Sequence, residues 1–410
     1  MYDGCILRSF LYICENLKTT QQMRRTILSL LVALSAVGIA TATTPNKIVI
    51  PDIEGYKTLK GDFHIHTVFS DATVWPTTRV QEALWEGLDV IAITDHVDSR
   101  LQKQVKAGLF NAEKCDRDRS YKIAQKAAGK DLLVIHGGEI SRGMPPGHWN
   151  CLFVSDCNKI CEKAEQFNDD NFKAAQAGLE EAHAQGGFTM WNHPNWETQA
   201  PNETKWWKEH EKLCKAGYMQ GIEVYNKFCG YSPEAHKWAL ERGLTMFANS
   251  DCHTPFFHMI DYMNGQHRPV TLVFAKERTE ASVREALEAG RTAAFAEDMV
   301  YGREDMLRPL FEACVNVENV KFTDNRISFT LVNKSCIPIR LRKAAGSEKY
   351  RYVRNYELRP FETINVKVCP ILVDNKSQKF DTDAVDVNFV AETFQIGPDT
   401  PLPVTFHFAK

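Results

Sequence analysis

Residues 61–71 read GDFHIHTVFSD, and the fold turns on whether this stretch is the end of a strand. A strand turns successive side chains to opposite faces, so His64 and His66 would point the same way, with Asp71 close behind in the following loop. Two imidazoles and a carboxylate placed like this mark either a metal site or an accident. The decision rests on whether other strands of the chain end in the same manner.

They do. Short apolar runs recur at LDVIAIT (88–94), DLLVIHG (131–137), HWNCLFV (148–154), GFTMWN (187–192), GIEVYN (221–226), LTMFANS (244–250) and PVTLVFA (269–275). They are too short and too rich in β-branched and aromatic residues for most to be helices. Helical stretches separate many of them. TTRVQEALWEGL sets Val80, Leu84 and Leu88 at helical spacing, and NFKAAQAGLEEAHAQGG ends in the Gly-Gly expected past a helix C-terminus. SPEAHKWALERGL opens with Ser232 as N-cap and Pro233 at the first helical position, and TEASVREALEAGR starts at Thr279 and stops at Gly290. This alternation predicts an α/β fold with a parallel sheet, open or closed into a barrel, over residues 60–300. Past residue 305 only period-two patterns remain (VKFTDNRISFTLVNKS, PIRLRKA, ETINVKV, LPVTFHFAK), with Ile327, Phe329 and Leu331 on one buried face. They predict a small antiparallel β-sandwich with no helix.

Groups of ligand type gather at the run ends. His64, His66 and Asp71 follow the first, His96 (ITDH) the second, and Glu139 (HGGEIS) the third. His148 opens the next, His193 (WNHP) ends the one after, and Asp251 and His253 (NSDCH) end a later one. Sites of α/β sheets and barrels are assembled at the carboxyl ends of strands. Imidazoles mixed with carboxylates suit zinc, manganese or iron. Taken singly, each histidine could be a satisfied polar group and each aspartate a helix cap. Together they point to one metal centre. His183, His210 and His236 fall inside helical stretches and His407 in the last strand, so these read as packing or surface groups, as do His258 and His267 in a loop. Cys252, between two ligands, faces away from them by strand alternation.

The motifs FHIHTVFSD, ITDH, GGEIS, GHWNCLFV, NHP, GIEVYN and NSDCH, in that order, resemble the successive motifs of the PHP (polymerase and histidinol phosphatase) superfamily. The resemblance implies a distorted seven-stranded β/α barrel with two or three divalent metal ions at the strand C-termini. It implies that His64, His66, Glu139 and Asp251 hold one ion, that Glu139 bridges to a second held by His148 and His193, and that Asp71, His96 and His253 hold a third. Asp62 and Asp95 would stand behind the ligands and orient imidazoles. The leader and terminal β region resemble exported phosphoesterases of the same superfamily, and nothing in the chain resembles a polymerase body.

The remaining sequence sets the context. From Met23, MRRTILSLLVALSAVGIATA carries two arginines, an uncharged run and a small-x-small Ala40-Thr41-Ala42. This predicts a secretory signal over 23–42, too short to span a membrane, with 1–22 an upstream extension and the protein periplasmic or secreted. An uncleaved anchor is the alternative. The predicted domains are then 43–302 and 303–410. The chain has 410 residues and a formal net charge of −3, so it lacks the basic balance of a dedicated nucleic-acid binder. Of 12 cysteines, Cys5 and Cys14 precede the leader. Cys157 and Cys161 form a lone CxxxC with no second pair to complete a zinc ribbon, so mutual pairing or burial is expected of them.

Phosphate-ester hydrolysis at such a site needs no serine or cysteine nucleophile, because metal coordination activates water. Neither a GxSxG elbow nor a Walker A loop is present. Arg142, three residues past Glu139, and Lys227, just past EVYN, are the placed candidates for contacting a phosphate. The expected substrate is a small phosphomonoester or phosphodiester. The stretch KSCIPIRLRKAAGSEKYRYVRNYELR, with Tyr350, Tyr352 and Tyr356 among basic residues, leaves a nuclease on short oligonucleotides as the alternative. A non-catalytic metal-containing binding protein is the other.

Overall fold

The computed structural model describes residues 47–98, 116–196 and 203–410; the leader lies outside them. Strand β1 (Lys57–Asp62) is followed by α1 (Pro76–Glu86), β2 (Val90–Ile93), α2 (Arg119–Ala128), β3 (Leu133–Ser141) and β4 (His148–Leu152). Next come α3 (Cys157–Glu165), α4 (Asn171–Ala184), β5 (Phe188–Trp191), α5 (Lys208–Lys215), β6 (Gly221–Asn226), β7 (Gly230–Tyr231), α6 (Pro233–Arg242) and β8 (Thr245–Asn249). The α/β part closes with β9 (Val270–Ala275), α7 (Glu280–Glu288), β10 (Thr292–Ala296) and β11 (Met299–Gly302). Each apolar run of the sequence is thus a strand. Ser232 caps α6 by accepting from the Ala235 amide, and Thr279 caps α7 by accepting from Ser282.

The sheet is mixed. β1, β2 and β3 pair in parallel, as do β5, β6 and β8, while β4 runs antiparallel between β3 and β5. Reversing β4 has a consequence for the site. Its first residue, His148, lies at the same end as the carboxyl ends of its neighbours, opposite Ser141 in the ladder. β9 flanks β1 antiparallel, followed by β10 and β11. The sheet curls back on itself: Ile65 bridges Cys252 in parallel, and Thr271 Oγ1 of β9 accepts from the Ala248 amide of β8 at 3.0 Å. Phe63, Val90, Ile135, Phe188, Met190, Phe247 and Val273 fill the interior beneath the site, and Phe63 meets Phe247 edge-on at 5.6 Å. Each large apolar side chain buried there contributes about 1.5–3 kcal/mol.

Past residue 302 the structure departs from expectation in one respect: Glu304–Cys314 is a helix, α8. Leu307, Leu310, Phe311 and Cys314 bury one helical face, but Pro309 inside the segment breaks the propensity pattern. The strands that follow are β12 (Val315–Thr323), β13 (Arg326–Asn333), β14 (Ile339–Lys343), β15 (Tyr350–Arg351), β16 (Asn355–Leu358) and β17 (Thr363–Pro370). A small hairpin, β18 (Leu372–Val373) and β19 (Lys376–Ser377), leads to the long pair β20 (Ala384–Gly397) and β21 (Thr400–Ala409). Sheet β12-β13-β17-β15 packs on β14, β20 and β21 through Ile327, Phe329, Leu331, Leu341, Phe389 and Phe408, with Phe329 and Phe408 rings 4.5 Å apart. β20 also pairs in parallel with β11, at Val300 against Phe394, so the terminal strands extend the α/β sheet without a break. The tyrosines of the basic stretch are spent in this packing. Tyr350 is buried, and Tyr352 and Tyr356 stand edge-on to Phe389.

Among the described residues nine cysteines are all unpaired, with Cys157 and Cys161 buried, so burial and not mutual pairing describes the CxxxC. No described helix is long and apolar enough to cross a membrane.

Candidate metal centre

The backbone just past β1 carries His64 and His66 side by side, with their Nε2 atoms 3.1 Å apart. Arg79 of α1, fully buried, holds the strand ends that carry them. Its Nε donates to the His66 carbonyl at 3.0 Å and its Nη2 to the Cys252 carbonyl at 2.9 Å. The chain bends sharply at two further ligands, His193 at φ 30° and Asp251 at φ 51°. Left-handed backbone at non-glycine residues costs on the order of 1–3 kcal/mol each and persists where the surroundings impose it.

Glu139 of β3 lies at the centre, and its carboxylate contacts five imidazoles. Oε1 is 3.3 Å from His64, 3.1 Å from His148 and 3.6 Å from His193, and Oε2 is 3.5 Å from His66 and 2.6 Å from His96. Asp251 Oδ1 lies 3.3 Å from His64, 3.1 Å from His66 and 3.6 Å from His253. Asp71 Oδ1 lies 3.3 Å from His96 and 3.1 Å from His253. All nine residues read from the sequence as ligands therefore meet in one place. Their donor atoms fall into four overlapping groups: His66, Asp71, His96 and His253; His64, Glu139 and His193; His64, His66 and Asp251; and His96, Glu139 and His148. Relative to the sets implied by family resemblance, His66 joins the Asp71 group, and His193 and His148 fall in separate groups around Glu139.

Electrostatics favours a cation here. Burial would raise the Glu139 carboxyl, but His96, His148 and His64 hold it well below the usual carboxylate range. Asp71 and Asp251 are likewise held low against burial, the first by hydrogen bonds from His253 and His96, the second by the charge of His64. Burial, reinforced by His253 and His96, pushes His66 down to about 4, and burial outweighs Glu139 to push His148 down to about 4. At neutral pH the centre thus offers ionised carboxylates and, at His66 and His148, neutral imidazoles with free lone pairs. Three imidazoles differ: burial pulls each down, but neighbouring carboxylates outweigh it. The charges of Asp251, Glu223 and Glu139 hold His64 well above its usual range, Glu139 and Asp71 push His96 up to about 10, and Asp71 and Asp251 raise His253. Among the described residues the buried His193 Nδ1 has no hydrogen-bond partner, while His96 Nε2 faces the Asp71 carboxylate at 3.3 Å. Ring nitrogens beside concentrated carboxylate charge fit divalent cations of the zinc, manganese or iron type.

Behind the ligands stands a residue that sequence reasoning missed. Glu223 of β6, fully buried, accepts from His64 Nδ1 at 2.9 Å through Oε1, and from the His193 amide at 2.7 Å through Oε2. This fixes the His64 tautomer and leaves Nε2 free to coordinate. Asp62 contacts no imidazole: it accepts from the His64 amide at 3.3 Å, from Ser250 and from buried Arg268. Asp95 acts through Ser70, whose hydroxyl donates to it at 2.7 Å and lies 3.4 Å from His66 Nδ1. Cys252 packs in the core with Phe256 and Ile260. His210 and His236 are buried and paired, with the Pro146 carbonyl and with Tyr231.

The centre opens into a cavity of about 270 Å³ whose floor is formed by ligands and whose walls are Trp196 and Phe228. Trp196 packs 5.1 Å from the His148 and His193 rings, and Phe228 5.9 Å from His253. Neither cation singled out from the sequence lines it. Arg142 is buried with Nε 2.7 Å from Asp98, and Lys227 precedes Phe228 with its amide bonded to the Asn249 carbonyl.

Neither a family model nor a curated protein matches the sequence. A solved structure from Bacteroides vulgatus, a two-domain protein containing a predicted PHP-like metal-dependent phosphoesterase, does match. It is 40% identical over 88% of this chain and 98% of its own, with a TM-score of 0.79. A candidate metal-dependent phosphoesterase from Bifidobacterium adolescentis aligns at 17% identity over 48% of this chain and 89% of its own, with a TM-score of 0.35. With the ligand centre in place and that similarity along nearly the whole length of the Bacteroides protein, this chain belongs to the PHP-like metal-dependent phosphoesterases.

Proposed function

We propose that the protein is an exported hydrolase that cleaves the phosphoester bond of a small phosphomonoester or phosphodiester with a metal-activated water. Its catalytic unit would be a distorted seven-stranded β/α barrel spanning 43–302, followed by a β domain at 303–410. The observation that carries this reading is the Glu139 carboxylate in contact with five imidazoles, an arrangement suited to bridging two cations. His64, His66, Asp71, His96, Glu139, His148, His193, Asp251 and His253 would hold two or three divalent ions. Bound there, the ions supply Lewis acidity and a nucleophilic water at neutral pH. The protein's own part is positional: Glu223 orients His64, Arg79 fixes the two strand ends, and Trp196 and Phe228 shield the floor from bulk water. Because no described residue lining the cavity is Lys or Arg, phosphate charge would be met mainly at the floor. Lys227, one residue from the wall, is the proposed auxiliary contact, and Arg142 steadies the end of β3 through Asp98. Export rests on the leader at 23–42.

The test is a phosphoester panel with purified full-length protein loaded with Mn²⁺, Zn²⁺ or Fe²⁺. Turnover of at least one small mono- or diester is expected. A preference for short oligonucleotides would make the protein a nuclease. A metal-loaded protein inert on the whole panel would contradict the hydrolase reading and leave a binding protein.

A further inference from the structure

A second group of donor side chains lies outside the centre described above. Asp118 is the residue at which α2 begins, His136 sits within β3, and Cys157 is the first residue of α3. All three are buried, at 6%, 8% and 0% exposure. His136 Nε2 is 3.0 Å from Asp118 Oδ1 and 3.7 Å from Cys157 Sγ. In a thiol–imidazole–acid relay, thiol and acid address different ring nitrogens, so that a proton can pass through the ring. Here both face the same nitrogen, which makes a relay impossible. One proton on Nε2 serves only one of the two, and the thiol turns to the Gly137 carbonyl at 3.3 Å. A single cation, by contrast, would satisfy all three atoms at once.

The spacing agrees. Tetrahedral zinc with bonds of about 2.0–2.3 Å separates its ligand atoms by roughly 3.3–3.8 Å, and these three donors lie within 4.8 Å of one another. The site is also braced. The Tyr121 ring stacks on His136 at 4.1 Å and 9°, and Asp118 accepts from the Cys157 amide at 2.9 Å and from Asn158 at 3.3 Å. Bracing of this kind orients ligands before a metal arrives. We propose that Asp118, His136 and Cys157 bind one zinc ion, fastening the starts of α2 and α3 to β3, the strand that also carries Glu139. Thiolate, imidazole and carboxylate together select zinc over magnesium or calcium. Cys161, one turn further along α3, faces Arg117 at 3.4 Å and takes no part.

The test uses the full-length protein stripped by a chelator and reloaded with Co²⁺. None of the donors at the larger centre is a thiol, so a thiolate-to-cobalt charge-transfer band reports on this site alone. The expected result is that band in the wild type, displaced by Zn²⁺, absent in Cys157→Ser and retained in Cys161→Ser. Zinc content should fall by about one equivalent per chain in Cys157→Ser, with phosphoester turnover unaffected. Should Cys157→Ser not fold, alkylation of the wild type followed by peptide mass spectrometry decides. Zinc is expected to slow labelling of Cys157 by about tenfold or more. A folded, cobalt-loaded wild type without the band, a band that survives Cys157→Ser, or labelling of Cys157 indifferent to zinc would each overturn the proposal and leave a hydrogen-bonded trio.

Discussion

At the scale of single residues, the centre divides into groups that touch the ions and groups that aim them. Glu223 is of the second kind, since its carboxylate reaches His64 Nδ1 and the His193 amide. Glu223→Gln removes charge but keeps shape, and metal affinity should fall by about 10–100-fold while the fold is retained, as read by metal titration with circular dichroism. An unchanged affinity would show Glu223 to be packing only. The ligands themselves were legible because each stands at one end of an apolar run or in the loop just past it, where a titratable group needs a reason to be. Glu223 was not, because it lies inside GIEVYN, which was read as a strand and as a family motif with no ligand or orienting role assigned to its carboxylate. A carboxylate in a fully apolar strand is itself a signal, for burial without a partner costs several kcal/mol. Asp62 and Asp95 were found by position, but their partners, Arg268, Ser250 and Ser70, come from elements that only the fold brings near.

At the scale of elements, caps and close approaches were readable and tertiary pairing was not. Ser232 was placed as an N-cap from Ser-Pro alone, and Ser232→Ala should cost about 1 kcal/mol in urea unfolding; no loss would mean that the hydroxyl's bond to Ala235 contributes nothing. HGGE is a sharper case. A Cβ at Gly138 would stand 2.5 Å from Val97 Cγ1 and 3.0 Å from Cys157 Sγ. Gly138→Ala should therefore destabilise by about 1–3 kcal/mol through overpacking, and a neutral change would show that α3 can withdraw from β3. Helix α8 escaped the reading because Pro309 interrupts an otherwise regular Leu307, Leu310, Phe311, Cys314 face. The pairing of β20 with β11 escaped it for another reason: no local pattern encodes a partner about 95 residues away.

At the scale of the whole molecule, stability should depend on pH through groups remote from the centre. Burial pushes His210 down from an ordinary 6.5 to about 4, and the neutral ring is fully used, with Nε2 to the Pro146 carbonyl and Nδ1 accepting from the Trp207 amide. Between those pH values the unfolded chain binds a proton that the folded chain does not. The stabilising contribution is complete above 6.5 and is lost as pH falls, by about 1.4 kcal/mol per unit. Denaturant unfolding at stepped pH should give a shallower acid-side slope for His210→Gln than for the wild type; equal slopes would place the titration elsewhere. The larger claim, that nine side chains from distant parts of the sequence converge to hold cations, is tested most directly by metal content. Elemental analysis should find at least two divalent ions per chain in the wild type. In Glu139→Ala, folded but without the carboxylate that meets five imidazoles, at least one of them should be gone. A wild type free of metal, or a Glu139→Ala protein with its metal content intact, would contradict the account.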